Sequence, residues 1–261
     1  MDTSGLLLCA RYSSAPNFFG YCGPPKNSTL IDHLREEIGD DEVENILSQF
    51  DTLYLNLKLI AFENKIEDPF DKKVVEAYWI GNKLLNNIKN GKYVSLLREK
   101  FELEDYIGRD MFERLKFKFL ANQTLPHHSF HVFNIFKRTG NVFSNQTIET
   151  MDSCRVGYGQ VISLGEKQRS PLRSSSFEGQ AKIKSILVKA KKLAIINQRL
   201  TITKPEFQQL KIDYKGKSFI KNLKIGARVS YHWGFVCDVL TENQATNLEF
   251  YTQKAINFYN L

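Results

Sequence analysis

Residues 227–237 read Ala-Arg-Val-Ser-Tyr-His-Trp-Gly-Phe-Val-Cys, with Val229, Tyr231, Trp233, Phe235 and Cys237 at every second position. A period of two is the signature of a strand with one buried face. The same period runs back through 155–163, 181–188, 193–196 and 208–214, with polar or turn-forming stretches such as 170–179 and Lys215-Gly216-Lys217 between them. Five short strands in about 85 residues predict a small closed β-barrel. After the last strand, Thr241-Glu242-Asn243-Gln244 forms a capping box, with Thr241 as cap and Gln244 three positions on. The helix it opens carries Ala245, Leu248, Tyr251, Ala255 and Phe258 near one face.

Upstream of residue 125 the pattern is helical. Residues 41–64 place Val43, Ile46, Leu47, Phe50, Leu53, Tyr54, Leu57 and Ile60 at three- and four-residue steps, which predicts one long helix with a wide apolar stripe. Asp68-Pro69 offers a cap followed by proline at a first helical position, with Val74, Val75, Tyr78, Trp79 and Leu85 on the buried side of the helix it would open. Further helices are expected over 28–38, 93–101 and 109–120. The stretch 126–136, with His127, His128 and His131 set among aromatic residues, is read as a strand linking the two parts.

Charge marks the same division. Residues 1–150 hold 18 Lys+Arg against 21 Asp+Glu, a net of −3, whereas 151–261 hold 18 against 8, a net of +10. A basic second half suits nucleic acid or an acidic protein partner. The stacking aromatics that a nucleic-acid surface needs are sparse beside Lys182, Lys184, Lys189, Lys191 and Lys192, which argues against nucleic acid. The apolar run 5–10 is too short for a signal peptide and has no basic segment before it. No stretch reaches the ~18 apolar residues of a membrane span. Together these point to a cytoplasmic protein with no membrane insertion.

The residues with chemistry are few. Cys9, Cys22, Cys154 and Cys237 are scattered with no paired spacing, so neither a disulfide framework nor a zinc ribbon is indicated. Cys154, next to the basic Arg155, leads into the first strand and His232, flanked by Tyr231 and Trp233, stands on the last, and closure can make these strands neighbours. A core thiol and a core histidine are the competing readings. His127, His128 and His131 form the one histidine cluster, but their spacing alone is a weak metal signal. Cys22, in the turn-rich run Tyr21-Cys22-Gly23-Pro24-Pro25, is a weak candidate nucleophile with His128 as base. Cys237 is expected to pack.

Two segments carry a resemblance. Cys154-Arg155-Val156-Gly157-Tyr158-Gly159-Gln160-Val161 and Ile225-Gly226-Ala227-Arg228-Val229-Ser230-Tyr231-His232-Trp233-Gly234-Phe235-Val236 resemble the opening and closing strands of HypC-type hydrogenase-maturation chaperones, in the same order and before a C-terminal helix. The resemblance implies an OB-like barrel. It also implies that Cys154 takes the place of the family cysteine that binds an iron carrying cyanide and carbon monoxide, Fe(CN)2CO, and that His232 takes the place of the histidine beside it. The family cysteine follows the initiator methionine, whereas Cys154 is internal. Tyr158 stands where a proline is usual, and the loop over 166–179 is longer.

The whole chain also resembles an uncharacterised bacterial family whose genes tend to lie beside those of nickel–iron hydrogenases. That likeness rests on Arg11-Tyr12 through Gly20-Tyr21-Cys22-Gly23-Pro24, on 74–82, on His127-His128-Ser129-Phe130-His131-Val132-Phe133, and on Cys154-Arg155, His232-Trp233 and Cys237-Asp238.

The expectation is therefore an α+β protein: a helical domain over 1–125, a linking strand or loop over 126–150, and a basic HypC-like barrel with its helix over 151–261. Its expected work is non-enzymatic, as an accessory protein or chaperone that holds or passes an iron fragment through Cys154 and His232. The expected partners are other maturation proteins or the hydrogenase large subunit. A Cys/His enzyme site at the junction, drawn from Cys22, His127, His128 and His131, is the alternative. A nucleic-acid-binding barrel is a second.

Overall fold

The computed structural model describes residues 3–25, 28–135, 147–165, 184–214 and 216–261. Lys182, the start of the strand expected at 181–188, Lys215 and the loop 166–179 lie outside the described residues. The class is α+β, with helices leading and a sheet followed by one long helix closing the chain.

The axis of the helical part is α1 (Ser4–Phe18), which the sequence pattern did not reveal. Leu6, Cys9, Ala10, Tyr12, Ser13, Ser14 and Ala15 are all buried, and a helix enclosed on every side shows no apolar stripe to detect. Around it lie α2 (Thr29–Glu36), α3 (Asp41–Ser48) and α5 (Lys72–Trp79), with α4 (Asp51–Glu63) behind α5. Gly5 allows the close approach to the chain entering α5, because a Cβ there would lie 1.7 Å from the Phe70 carbonyl oxygen.

Three helical expectations change. The helix expected over 41–64 is two, α3 and α4, broken at Gln49-Phe50, where the buried Phe50 occupies the N-cap position of the second. Asp68 caps no helix. Its carboxylate accepts from the Phe70 amide at 2.7 Å in a local turn, and Asp71 caps α5 by accepting from Lys73 N. Residues 83–87 form a short 3-10 helix, after which come α6 (Asn90–Glu99), α7 (Leu103–Ile107) and α8 (Arg109–Ala121).

The linking segment is also helical where it is described. Residues His128–Asn134 form α9, and all seven are buried. Alternation of aromatic and polar side chains looks like a strand, but a seven-residue helix that packs on every side has no need of a stripe. After it, α10 (Ile148–Cys154) opens on a Thr147/Thr150 capping box.

The strands are β1 (Gly157–Leu164), β2 (Ser185–Ala190), β3 (Leu193–Ile196), β4 (Arg199–Ile202), β5 (Glu206–Lys211), β6 (Arg228–His232) and β7 (Phe235–Leu240). Pairing runs β1-β2-β5-β7-β6 and returns to β1, closing the sheet. The join of β5 to β7 is the narrowest, one parallel pair of Lys211 with Phe235. The strand expected over 227–237 is a hairpin, β6 and β7, turning at Trp233-Gly234. Both turn residues have positive φ, 53° and 77°, as tight two-residue hairpins require. β3 pairs with β4, a strand the sequence pattern did not mark, in a separate two-stranded sheet. The capping box at Thr241 opens α11 (Glu242–Tyr259) as expected.

The sharp charge boundary near residue 150 does not separate two cores. One apolar cluster runs from Leu6, Tyr12 and Trp79 through Phe130 and Val156 to Phe235, Leu248 and Phe258. A smaller one fills the closed sheet with Val161, Val188, Leu210, Val229 and Val236. Part of the basic charge of the second half meets acids of the first: Lys217 lies 2.6 Å from Asp32 and Lys221 lies 2.9 Å from Glu37. Exposed pairs of this kind are screened by solvent and contribute little to stability. No helix among the described residues is long and apolar enough to cross a membrane.

Candidate metal centre

Three segments converge on one point. Cys154 is the last residue of α10, His232 the last of β6, and His128 the first of α9. One ligand atom from each lies within 4.8 Å of the other two. The β1–β6 pairing aligns the two sequence-marked positions, since Gly157 faces Tyr231 in register. The hairpin turn is tied to α10 as well, because Trp233 donates its backbone N–H to the Ser153 carbonyl at 2.8 Å. Trp233 holds a left-handed backbone that bulky residues rarely adopt, and its ring stacks on Tyr21 at 4.4 Å.

The imidazoles are held by different partners, and the partners decide where their protons sit. His232 Nδ1 is 2.8 Å from the Tyr12 carbonyl of α1. A carbonyl only accepts, so Nδ1 carries the proton and Nε2 keeps its lone pair. That Nε2 is buried and makes no well-formed hydrogen bond, although the Cys154 carbonyl lies close enough to favour a proton there. His128 Nε2 donates to the Cys154 carbonyl at 2.7 Å, and the Tyr78 hydroxyl, 3.2 Å from Nδ1, donates to the other nitrogen. Trp79 packs against both rings, at 4.5 Å from His128 and 5.6 Å from His232, and the two imidazoles meet edge to face at 5.0 Å.

Burial keeps both rings neutral. It lowers His232 to about 4, against the opposing pull of the Tyr12 and Cys154 carbonyls. It lowers His128 well below its ordinary value, and the proximity of His232 adds to this. Neutral imidazoles beside a half-buried thiol form a soft nitrogen–sulfur donor set, of the kind that takes zinc, copper(I) or iron. A hydrogen bond from the rear nitrogen to a carbonyl, as His232 has, is the usual support of a ligating histidine. Bond lengths of 2.0–2.3 Å would set tetrahedral edges of about 3.3–3.7 Å, so the donors need to draw together by roughly 1 Å.

The other candidates fall elsewhere. His127 stacks on Tyr251 at 5.8 Å, and His131 packs on Phe101 at 5.8 Å. Only His128 of the histidine cluster reaches Cys154 and His232. Cys22 is half-buried in the loop after α1, next to the Tyr21 that covers Trp233. Burial pushes the Tyr78 hydroxyl well above its ordinary pKa, and the nearby Cys22 and Cys154 add to this. Cys22 is not one of the three converging residues. Cys237 is buried, as expected of a packing residue. Arg155, next to Cys154, turns its guanidinium to Asp152 at 2.8 Å and to the Lys191 carbonyl at 2.6 Å. Its charge is therefore paired within the core. Tyr78 and Trp79 were legible in the sequence only as buried residues, and the burial of Tyr12 was not legible at all. Their roles arise from backbone and hydroxyl groups that no motif marks.

A family of unknown function, DUF6390, matches residues 1–261. The chain belongs to the DUF6390 family. No curated protein and no solved structure matches it. The DUF6390 match covers every segment that builds the centre: α1, α5, α9, α10 and β6.

Proposed function

We propose that this DUF6390 protein is a non-catalytic metal holder, an accessory protein of nickel–iron hydrogenase maturation that holds or passes an iron fragment of the Fe(CN)2CO type. The observation that carries the reading is the convergence of Cys154, His232 and His128 within 4.8 Å. Cys154 supplies a soft thiolate for low-valent iron. His232 offers its buried Nε2 beside it. A cysteine leading into the first strand and a histidine ending the neighbouring strand of a closed sheet support kinship with the OB-like HypC barrel. The Cys154 thiol is only half-buried and in no disulfide, which supports a role in passing the fragment on.

The helical part supplies a surface for a maturation partner or a hydrogenase large subunit. Phe62 is 72% exposed and stands with Leu55, Leu59 and Ile66 between Lys58 and Lys100. A nucleic-acid role is less favoured, because Lys191 and Lys192 are paired with Glu249 and Glu206. A thiol enzyme is the second reading. One observation favours it: the Cys154 sulfur lies beside neutral imidazoles, an arrangement that also suits a nucleophile with a base.

Anaerobic co-purification with hydrogenase-maturation scaffold proteins tests the first reading. Cyanide and carbonyl infrared bands are expected on the complex and should vanish in Cys154→Ala. Bands that survive that substitution would remove Cys154 from the role.

A further inference from the structure

We propose that His128 is a third, exchangeable ligand of this centre, and that Tyr78 is the positioning residue whose hydroxyl follows the tautomer of its ring. The inference rests on the metal-holding reading above and goes beyond it. The HypC resemblance offers a cysteine and a histidine, whereas His128 comes from a different part of the chain.

The argument starts from the two imidazoles. His232 is already poised for a metal, with its proton on Nδ1 fixed by Tyr12 and its free lone pair buried at the centre. His128 is poised the other way. The nitrogen near Cys154 is Nε2, and its proton is engaged by the Cys154 carbonyl. For Nε2 to ligate, that proton must leave and Nδ1 must take one up.

Most surroundings would forbid the exchange, because a buried Nδ1–H needs an acceptor. Here the partner of Nδ1 is a hydroxyl, which can donate or accept. Rotation of the Tyr78 O–H turns it from donor to Nδ1 into acceptor from Nδ1–H, at the same 3.2 Å separation. Tyr78 is buried beside Trp79, which holds its hydroxyl against the His128 ring.

The proton balance is simple. His128 gives its Nε2 proton to solvent and takes one from solvent at Nδ1 during opening of the site, so its charge does not change and Tyr78 keeps its own proton. The Cys154 thiol loses one proton on becoming a thiolate ligand. One proton is released per metal ion bound, and the Cys154 carbonyl gives up its bond from His128. Loading thereby loosens the end of α10 from α9, which couples the state of the centre to the chain segment that carries Cys154.

The test uses the full-length apo protein and zinc(II) as the probe, with the imidazole nitrogens followed by two-bond proton–nitrogen NMR. The apo spectrum should show His128 protonated on Nε2 and His232 protonated on Nδ1. One equivalent of zinc should move the His128 proton to Nδ1 and leave His232 unchanged. Tyr78→Phe should weaken zinc binding by about 10- to 100-fold, the usual cost of losing a group that orients a ligand, with Cys154 and His232 still bound. Zinc bound through Cys154 and His232 with the His128 tautomer unmoved would overturn the third-ligand proposal and leave the metal-holding reading standing. Zinc that binds nowhere on the chain would overturn both. If His128→Gln unfolds the chain, the tautomer measurement on the unaltered protein still decides the matter.

Discussion

His232 illustrates how one residue can be visible in a sequence while its environment is not. Its place between Tyr231 and Trp233 at the end of a strand marked it, but the Tyr12 carbonyl that fixes its proton lies 220 residues away in α1. The same is true of His128, which looked like one of three equivalent histidines until α9 turned His127 and His131 to Tyr251 and Phe101. A buried neutral imidazole has a measurable signature. The unfolded chain takes up a proton at each histidine near 6.5, whereas folded His232 does so only at about 4 and His127 only at about 3. In that window the unfolded state binds more protons, so stability is complete above about 6.5 and declines as pH falls toward 4. Denaturant unfolding between pH 7 and 4 should show this loss, with a slope of at most ~1.4 kcal/mol per pH unit for each buried histidine. The slope should be shallower in His232→Gln. An identical slope in that variant would mean that His232 is not buried in its neutral form.

At the scale of elements, what was legible followed the local signal. The strands at β1, β3 and β5, the β6–β7 hairpin as one extended stretch, and the capping box of α11 were all written in periods and caps. The elements that escaped, α1 and α9, are buried on nearly every side, so no period distinguishes their faces. The break at Gln49-Phe50 was hidden because the apolar stripe continues through it, and only packing shows that Phe50 turns inward. These enclosed elements are also the ones that assemble the centre, which is why its outline was legible in Cys154 and His232 and its support was not. The position of α1 depends on the absence of a side chain at Gly5. Gly5→Ala would press a methyl group into the Phe70 carbonyl, 1.7 Å away, and overpacking against backbone should cost about 3 kcal/mol or more. Thermal unfolding of that variant should move to markedly lower temperature. A variant as stable as the parent would show that α1 does not approach the entry to α5 so closely.

The whole molecule is organised so that neither half completes the centre. Residues before 150 contribute Tyr12, Tyr78, Trp79 and His128, and residues after it contribute Cys154, His232 and the hairpin that locks onto Ser153. One core joins them. The charge step near residue 150 was real, but it marks two faces that meet through Arg11 with Asp238 and Lys217 with Asp32. A centre assembled from both halves would hold a metal only in the folded whole. The direct test is a titration of the full-length apo protein with cobalt(II) under anaerobic conditions, followed by electronic absorption. The structure predicts a sulfur-to-cobalt charge-transfer band that saturates at one equivalent and is lost in Cys154→Ser and in His232→Gln. Absence of that band in the unaltered protein, or a band untouched by Cys154→Ser, would contradict the metal centre.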